Sequence, residues 1–341
     1  TGTQNFFAGN YAAKYHRGGG NIAIGQQALY GNSTCADNTG GCNIALGEYA
    51  GCETCSGANN IFLGRSSGAK NNTGNCNVYM GYAAGPTTSA ASGSSNIAIG
   101  KETGTAVTSG ASNVLIGQNA GDAITTGSNH VAIGVHALSA EDTLSGSVAI
   151  GYEALKLQNN GNGNTAIGCG AGKAVVTGGE NVFLGWSAGA AITGSTNTII
   201  GALAMSAASS GASNVAIGQD AGRNNTGDNN VIIGATAGDA AGAGEQNVFV
   251  GRNSGSAVTD GQSNTFIGMN AGNSTTTGNG NVMIGANVCL ANGNCSFAIG
   301  RGTSYWIQGD SSFNTTVNDI SASNFNSTSD IRLKTNIQPI G

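Results

Sequence analysis

A five-residue phrase, roughly Asn-Val/Ile-Ala/Phe-Ile-Gly, recurs along this chain at a spacing of about 17 residues. Its closing glycines are Gly9, Gly25, Gly47, Gly64, Gly81, Gly100, Gly117, Gly134, Gly151, Gly168, Gly185, Gly201, Gly218, Gly234, Gly251, Gly268, Gly285 and Gly300. A short fixed period means that one small unit is stacked many times, each copy completing its core only against its neighbours.

Each position of the phrase makes a physical demand. One residue before the glycine, seventeen of eighteen copies carry Ile, Leu, Met or Val, Ala8 being the exception. This position is expected to be buried, so that a charge placed at Ile133 would sit in the core. Three before the glycine stand mostly Val, Ile or Phe, with Thr165, Thr198 and Thr265 as β-branched substitutes. In an extended segment these two positions share a face. The residue between them, such as Ala23, Phe62, Tyr79, Leu115 or Phe183, points the other way. A strand apolar on both faces reads as covered on both. The coil's interior covers one side, and an identical strand from a second copy of the chain would cover the other. A homo-oligomer is therefore expected.

Four residues before the glycine, fifteen copies carry Asn and the rest are His130, Ser147 and Ser296. Stacked coils would set these amides about 4.8 Å apart as an asparagine ladder, exemplified by Asn96, Asn113, Asn181, Asn214, Asn247 and Asn281. The phrase glycine suits a positive φ or a close backbone approach. Ala three residues on, and Gly or Leu four on, suit a tight corner. The remainder of each unit, such as Thr125-Thr126-Gly127-Ser128, is turn chemistry that absorbs length changes. The long gaps Gly25 to Gly47 and Gly81 to Gly100, the latter holding Pro86, read as loop insertions. With 59 glycines and no long helical periodicity, helix is disfavoured. Collagen, leucine-rich and calcium-binding nonapeptide patterns are absent. The expected fold is all-β, a parallel β-solenoid of about 18 coils of ~17 residues, a rod of about 85 Å.

Charged residues are 9% of the chain and its net charge is −5, with twelve Lys and Arg scattered along it, so no nucleic-acid footprint is present. No run of eighteen apolar residues exists to span a membrane as a helix. The chain begins at Thr1 inside a repeat, without an initiator Met or signal sequence, which reads as a mature product or a fragment. Cys35, Cys42, Cys52, Cys55, Cys76, Cys289 and Cys295 are disulfide candidates of an extracellular rod, with Cys169 alone. Cys52-x-x-Cys55 lacks a matching second pair and has only His16 nearby, so no metal is assigned and no cofactor is implied. Glycosylation sequons begin at Asn32, Asn71, Asn224, Asn273, Asn294, Asn314 and Asn326.

Two stretches match the Gly-x-Ser-x-Gly nucleophile elbow: Gly64 to Gly68 around Ser66, and Gly185 to Gly189 around Ser187. Both lie in the same register of the repeat, where other copies carry Ala, Asn, Glu or Asp, so they read as repeat grammar. The run Gly168 to Lys173 lacks the Ser/Thr and the helix of a phosphate loop. Glycosidase chemistry would need carboxylates meeting across coils, and Glu141-Asp142 is the only adjacent acidic pair.

The grammar changes after Gly300. Ile320-Ser321-Ala322-Ser323-Asn324-Phe325, followed by Ser329-Asp330-Ile331-Arg332-Leu333-Lys334-Thr335-Asn336-Ile337, resembles the opening of the intramolecular chaperone domain of tail fibres and endosialidase tailspikes. That resemblance implies an autoproteolytic dyad of Ser329 and Lys334, with a neutral lysine as base and cleavage between Thr328 and Ser329. The repeats are similar to the Asn-Thr-Ala-Ile-Gly repeats upstream of this chaperone in fibre proteins. They are more distantly similar to the heads of trimeric autotransporter adhesins, which implies three chains.

The expected organisation is a repeat shaft over 1–300, a non-repeat cap or linker over 301–328, and the start of a chaperone over 329–341. The expected function is that of a non-enzymatic fibre shaft or adhesin on a virion or outside a cell, self-associating and presenting itself to a surface glycan or receptor. A head-to-tail extracellular filament and a glycan-degrading tailspike are the alternatives.

Overall fold

The structure, a computed structural model, describes residues 2–317 apart from positions 32, 34, 36, 37, 141, 142, 241, 291 and 313. Each phrase forms a strand of three residues ending just before its glycine, from Phe6–Ala8 and Ile22–Ile24 to Val282–Ile284. The eighteenth copy opens a longer strand, Phe297–Arg301. Successive strands pair in parallel, Ile61 with Val78 and Val78 with Ile97, to make one continuous sheet along the stack. The fold is an all-β parallel solenoid with no helix among the described residues. Strand pairing holds across the long gap, where Ile22 meets Ile44, and across a short one, where Val282 meets Phe297, so length differences are expelled into the turns.

Only one side of each coil is a strand, yet the others are bonded too. Gly121 N–H donates to the Ala137 carbonyl at 3.0 Å, and Cys55 N–H to that of Asn72 at 2.8 Å, joining corners one coil apart. This meets the requirement that buried backbone groups be paired.

The phrase glycine shows why no other residue stands there. Gly117 has φ +128°, and a Cβ on it would lie 2.6 Å from the Gly134 carbonyl oxygen of the next coil.

The core is narrow and filled by size exchange. Its strand column runs through fully buried Ala45, Phe62, Leu115, Ala132, Ala149 and Phe183. Six residues after Leu115 stands Gly121, where a Cβ would meet the Leu115 side chain at 2.7 Å. Where the strand residue is Ala23, Ala132 or Ala149, that corner carries Leu29, Leu138 or Leu155 instead, each fully buried. These leucines accept a left-handed φ of about 50° to do so. Elsewhere the exchange runs between neighbouring coils: Ala45 and Ala166 have Gly51 and Gly172 six residues on, where a Cβ would meet Phe62 and Phe183 of the next coil at 2.5 and 2.7 Å, as packing at crystal-like density requires.

One expectation needs correction. The residue just before the glycine is not in the core of the single chain: Ile133 is half-buried, and Ile24 and Leu184 are 41% and 43% exposed. The middle residue of each strand points inward because its side chain alone faces the coil interior.

The repeat ends in an antiparallel hairpin. Ser304–Gly309 pairs back on Phe297–Arg301, with a register irregularity at Ile299/Gly300, and Thr315–Val317 pairs on Ser304–Gly309. The start of the chaperone-like segment, with Ser329 and Lys334, lies outside the described residues.

Candidate interaction face

The six ladder asparagines are all buried. The dominant link is from backbone to side chain: Asn113 N–H donates to Asn96 Oδ1 at 3.0 Å, and His130 N–H to Asn113 Oδ1 at 2.9 Å. The backbone N–H groups of Asn96, Asn181, Asn214, Asn247 and Asn281 donate the same bond to Oδ1 of the asparagine one coil before each. Each amide also closes its own coil, as Asn113 Nδ2 does on the Gly127 carbonyl at 2.9 Å. Amide-to-amide bonds, such as Asn113 Nδ2 to Asn96 Oδ1 at 3.1 Å, come in addition.

Where the ladder lacks Asn, neighbours repair it. His130 Nδ1 accepts from Ser147 N–H at 3.2 Å while its Nε2 lies 2.6 Å from the Leu144 carbonyl. That geometry fits the neutral tautomer with hydrogen on Nε2. Buried Gln158 then bridges Ser147 Oγ and Asn164 Nδ2, both at 2.8 Å. A second ladder, unforeseen from sequence, runs on the surface in the opposite sense: Ala111 N–H donates to Ser128 Oγ, and Ser128 N–H to Ser145 Oγ. The Ser, Asn or Asp two residues before the ladder position was its signal.

The outward side of the sheet is a different surface. It carries the residues one and three before each glycine, half-buried to exposed throughout, among them Ile22 at 37%, Ile167 at 39% and Val182 at 38%. Two aliphatic columns thus follow the rod from end to end. Charges lie on other columns and pair both across coils and within them. Glu48 meets Arg65 at 3.3 Å, Glu53 meets Lys70, and Glu153 is gripped by Lys156 and Lys173, each at 2.6 Å. The two lysine ammonium groups hold the Glu153 carboxyl down to about 2. Burial instead raises Asp122, whose Oδ2 accepts from Asn119 at 3.2 Å, and lowers His16, whose Nε2 lies 2.6 Å from the Gly40 carbonyl.

The catalytic look-alikes sit in ordinary positions of the repeat. Ser66 and Ser187 occupy left-handed turn positions with φ of 58° and 52°, in corners followed by further turn rather than by a helix. Lys173, in the phosphate-loop look-alike, is committed to Glu153. No cluster of three metal-ligating side chains occurs among the described residues. The pair Glu141-Asp142 lies outside them.

Of the disulfide candidates, Cys35 and Cys55 are bonded, with Cα atoms 6.3 Å apart, and they tie the long loop of the Gly25–Gly47 gap to the next coil. Cys42, Cys52, Cys76, Cys289 and Cys295 are free thiols, as is Cys169, which corrects the expectation for the first five. Burial lifts the Cys52 thiol to about 11, which makes it unreactive. Among the sequons, Asn71 is fully buried and donates to the Gly74 carbonyl at 3.0 Å, so it cannot carry a glycan on the folded chain. Asn224, Asn273, Asn294 and Asn314 are exposed, whereas Asn32 and Asn326 lie outside the described residues.

At the last coil and hairpin an open groove of about 360 Å³ is lined by Asn292, Ser296, Gln308, Asp310 and Asn314, among others. No protein family, no curated protein and no solved structure matches the chain.

Proposed function

We propose that this chain is the shaft of a fibre on a virion surface or an extracellular appendage, working as a homotrimer whose copies cover one another's outward face. The observation that carries this reading is the largely aliphatic stripe, two side chains wide along eighteen parallel strands and interrupted only by Thr165, Thr198 and Thr265. Ordinary monomers rarely expose a contiguous apolar patch beyond roughly 300–600 Å². A stripe running the length of the rod exceeds that scale and suits an obligate interface.

The remaining surface supports a mechanical role. Ion pairs and hydroxyl ladders along the coils tie the surface of the rod together. Turns that absorb insertions, such as the disulfide-tied loop after Gly25, are the places from which such a shaft displays contacts to a surface glycan or receptor. The resemblance of residues 320–337 adds a C-terminal self-cleaving chaperone, in which Ser329 attacks the carbonyl carbon of Thr328. Lys334 takes the hydroxyl proton and returns it to the departing Ser329 amine as the peptide bond breaks, and water then hydrolyses the Thr328 ester on Ser329 Oγ to separate the two pieces.

Native mass spectrometry of the purified chain tests the core of this reading. A mass of three chains is expected, and a stable monomer at micromolar concentration overturns it. Processing is tested separately in the full-length protein, where Ser329→Ala should leave the precursor uncut; cleavage unchanged by that substitution removes the dyad.

A further inference from the structure

We infer that the C-terminal hairpin, rather than the solenoid, fixes the register in which copies of this chain lie side by side. The inference rests on the homo-oligomeric reading above and assigns the outward face one occupant, a parallel second copy. The solenoid face is poor at register because it repeats. Ile116, Ile133, Ile150 and Ile167 follow one another at successive levels. Sliding one copy by a coil, about 4.8 Å, sets isoleucine on isoleucine again. Only Thr165, Thr198 and Thr265 interrupt the companion column with a hydroxyl.

The hairpin breaks this degeneracy while remaining continuous with the stripe. Ile299, the last member of its column, pairs with Ile307, and Ile307 pairs with Val317. Directly opposed residues of an antiparallel ladder share a face. The aliphatic column therefore crosses onto the hairpin, ending at Val317, which is 40% exposed. Beside it, at the register irregularity, Trp306 stands 62% exposed, the most exposed large apolar side chain among the described residues.

The hairpin is also anchored well enough to transmit alignment. Tyr305 packs against the core and its hydroxyl donates to the Cys289 carbonyl at 2.8 Å. Asp310 Oδ1 accepts from Ser312 N–H at 2.9 Å and from Asn314 N–H at 3.3 Å, which fixes the turn. A rigid apolar element that occurs once per chain has one best level against its own copy. There the hairpins coincide and Trp306 is buried, and a slip of one coil gives up that burial while leaving the stripe contacts nearly unchanged.

Two measurements test this. With Trp186→Phe, Trp306 becomes the sole tryptophan, and the assembled fibre should show blue-shifted emission protected from acrylamide. Emission and quenching of a water-exposed indole in an intact oligomer would overturn the inference. In the second, chains carrying Ile24→Cys and Leu46→Cys are co-expressed, oxidised and peptide-mapped. Linkages should join like positions, 24 to 24 and 46 to 46. Adding Trp306→Ala with Val317→Ser should leave the oligomer intact and raise 24-to-46 linkage about tenfold. Like-only linkage in that hairpin variant means that register is set elsewhere, and an oligomer with no linkage at either position means that the copies are not parallel; both sink this inference alone. A monomeric mass would instead remove the oligomer reading beneath it. Should the hairpin variant fail to fold, the Trp306 emission still decides.

Discussion

Asn113 illustrates how a single side chain closes several accounts at once. Its amide accepts the His130 N–H of the next coil and donates to the Gly127 carbonyl and to Asn96, all in a site without water access. Asn113→Ala leaves buried donors and acceptors unpaired, so a loss of roughly 2–3 kcal/mol is expected in denaturant melts, against almost none for the exposed Ser109→Ala. Gly117→Ala meets a harder obstacle, a carbonyl 2.6 Å from the new methyl carbon and a φ of +128°, and should cost at least about 2 kcal/mol. Glu153 sets a pH dependence of definite sign. Its folded-state carboxyl is depressed by Lys156 and Lys173, so its contribution is complete above the ordinary value near 4.5 and is lost as pH falls toward about 2. The melting temperature of Glu153→Gln should therefore lie below that of the parent at pH 7 and converge on it near pH 2; a constant gap would refute the ion-pair account. The demands on Asn and Gly were legible because they recur in every copy. The repair by Gln158 was not, since it occurs once and from another part of the coil.

At the scale of one coil, the instructive pair is the strand residue and the corner six positions later. Leu138 fills the space left by Ala132, and Gly121 makes way for Leu115. Leu138→Ala should cost about 2–5 kcal/mol by opening a cavity that the flanking alanines cannot close. Adding Ala132→Leu, which returns the volume from the other column, should recover part of the loss in the same thermal melt. Strand position, one strand per coil and the sites of loop insertion were all readable from the spacing. Which face of the strand points inward was not. Both columns of Val and Ile look like core in sequence, and the inner position tolerates Ala as readily as Phe because its volume is balanced by the corner of its own coil or by the side chains of the next. The hairpin was equally hidden, being a short unrepeated stretch with no periodicity to read.

For the whole molecule, Ile133 is the discriminating site. Half-buried in the isolated chain, it sits in the middle of the outward stripe, so Ile133→Asp should shift monomer stability by only about 1 kcal/mol while lowering the oligomeric mass. A variant that melts several degrees lower as a monomer would instead return this position to the core. The strand-to-strand pairing has a mechanical corollary. Every strand of the rod up to the hairpin bonds only to the strands of the adjacent coils, and no contact leaps along the axis. A single chain held at its two ends and pulled should therefore neither snap open nor stretch smoothly. It should surrender thread in packets of one coil, each adding about 50 Å of contour, so that the sequence period reappears as the step size of a force trace.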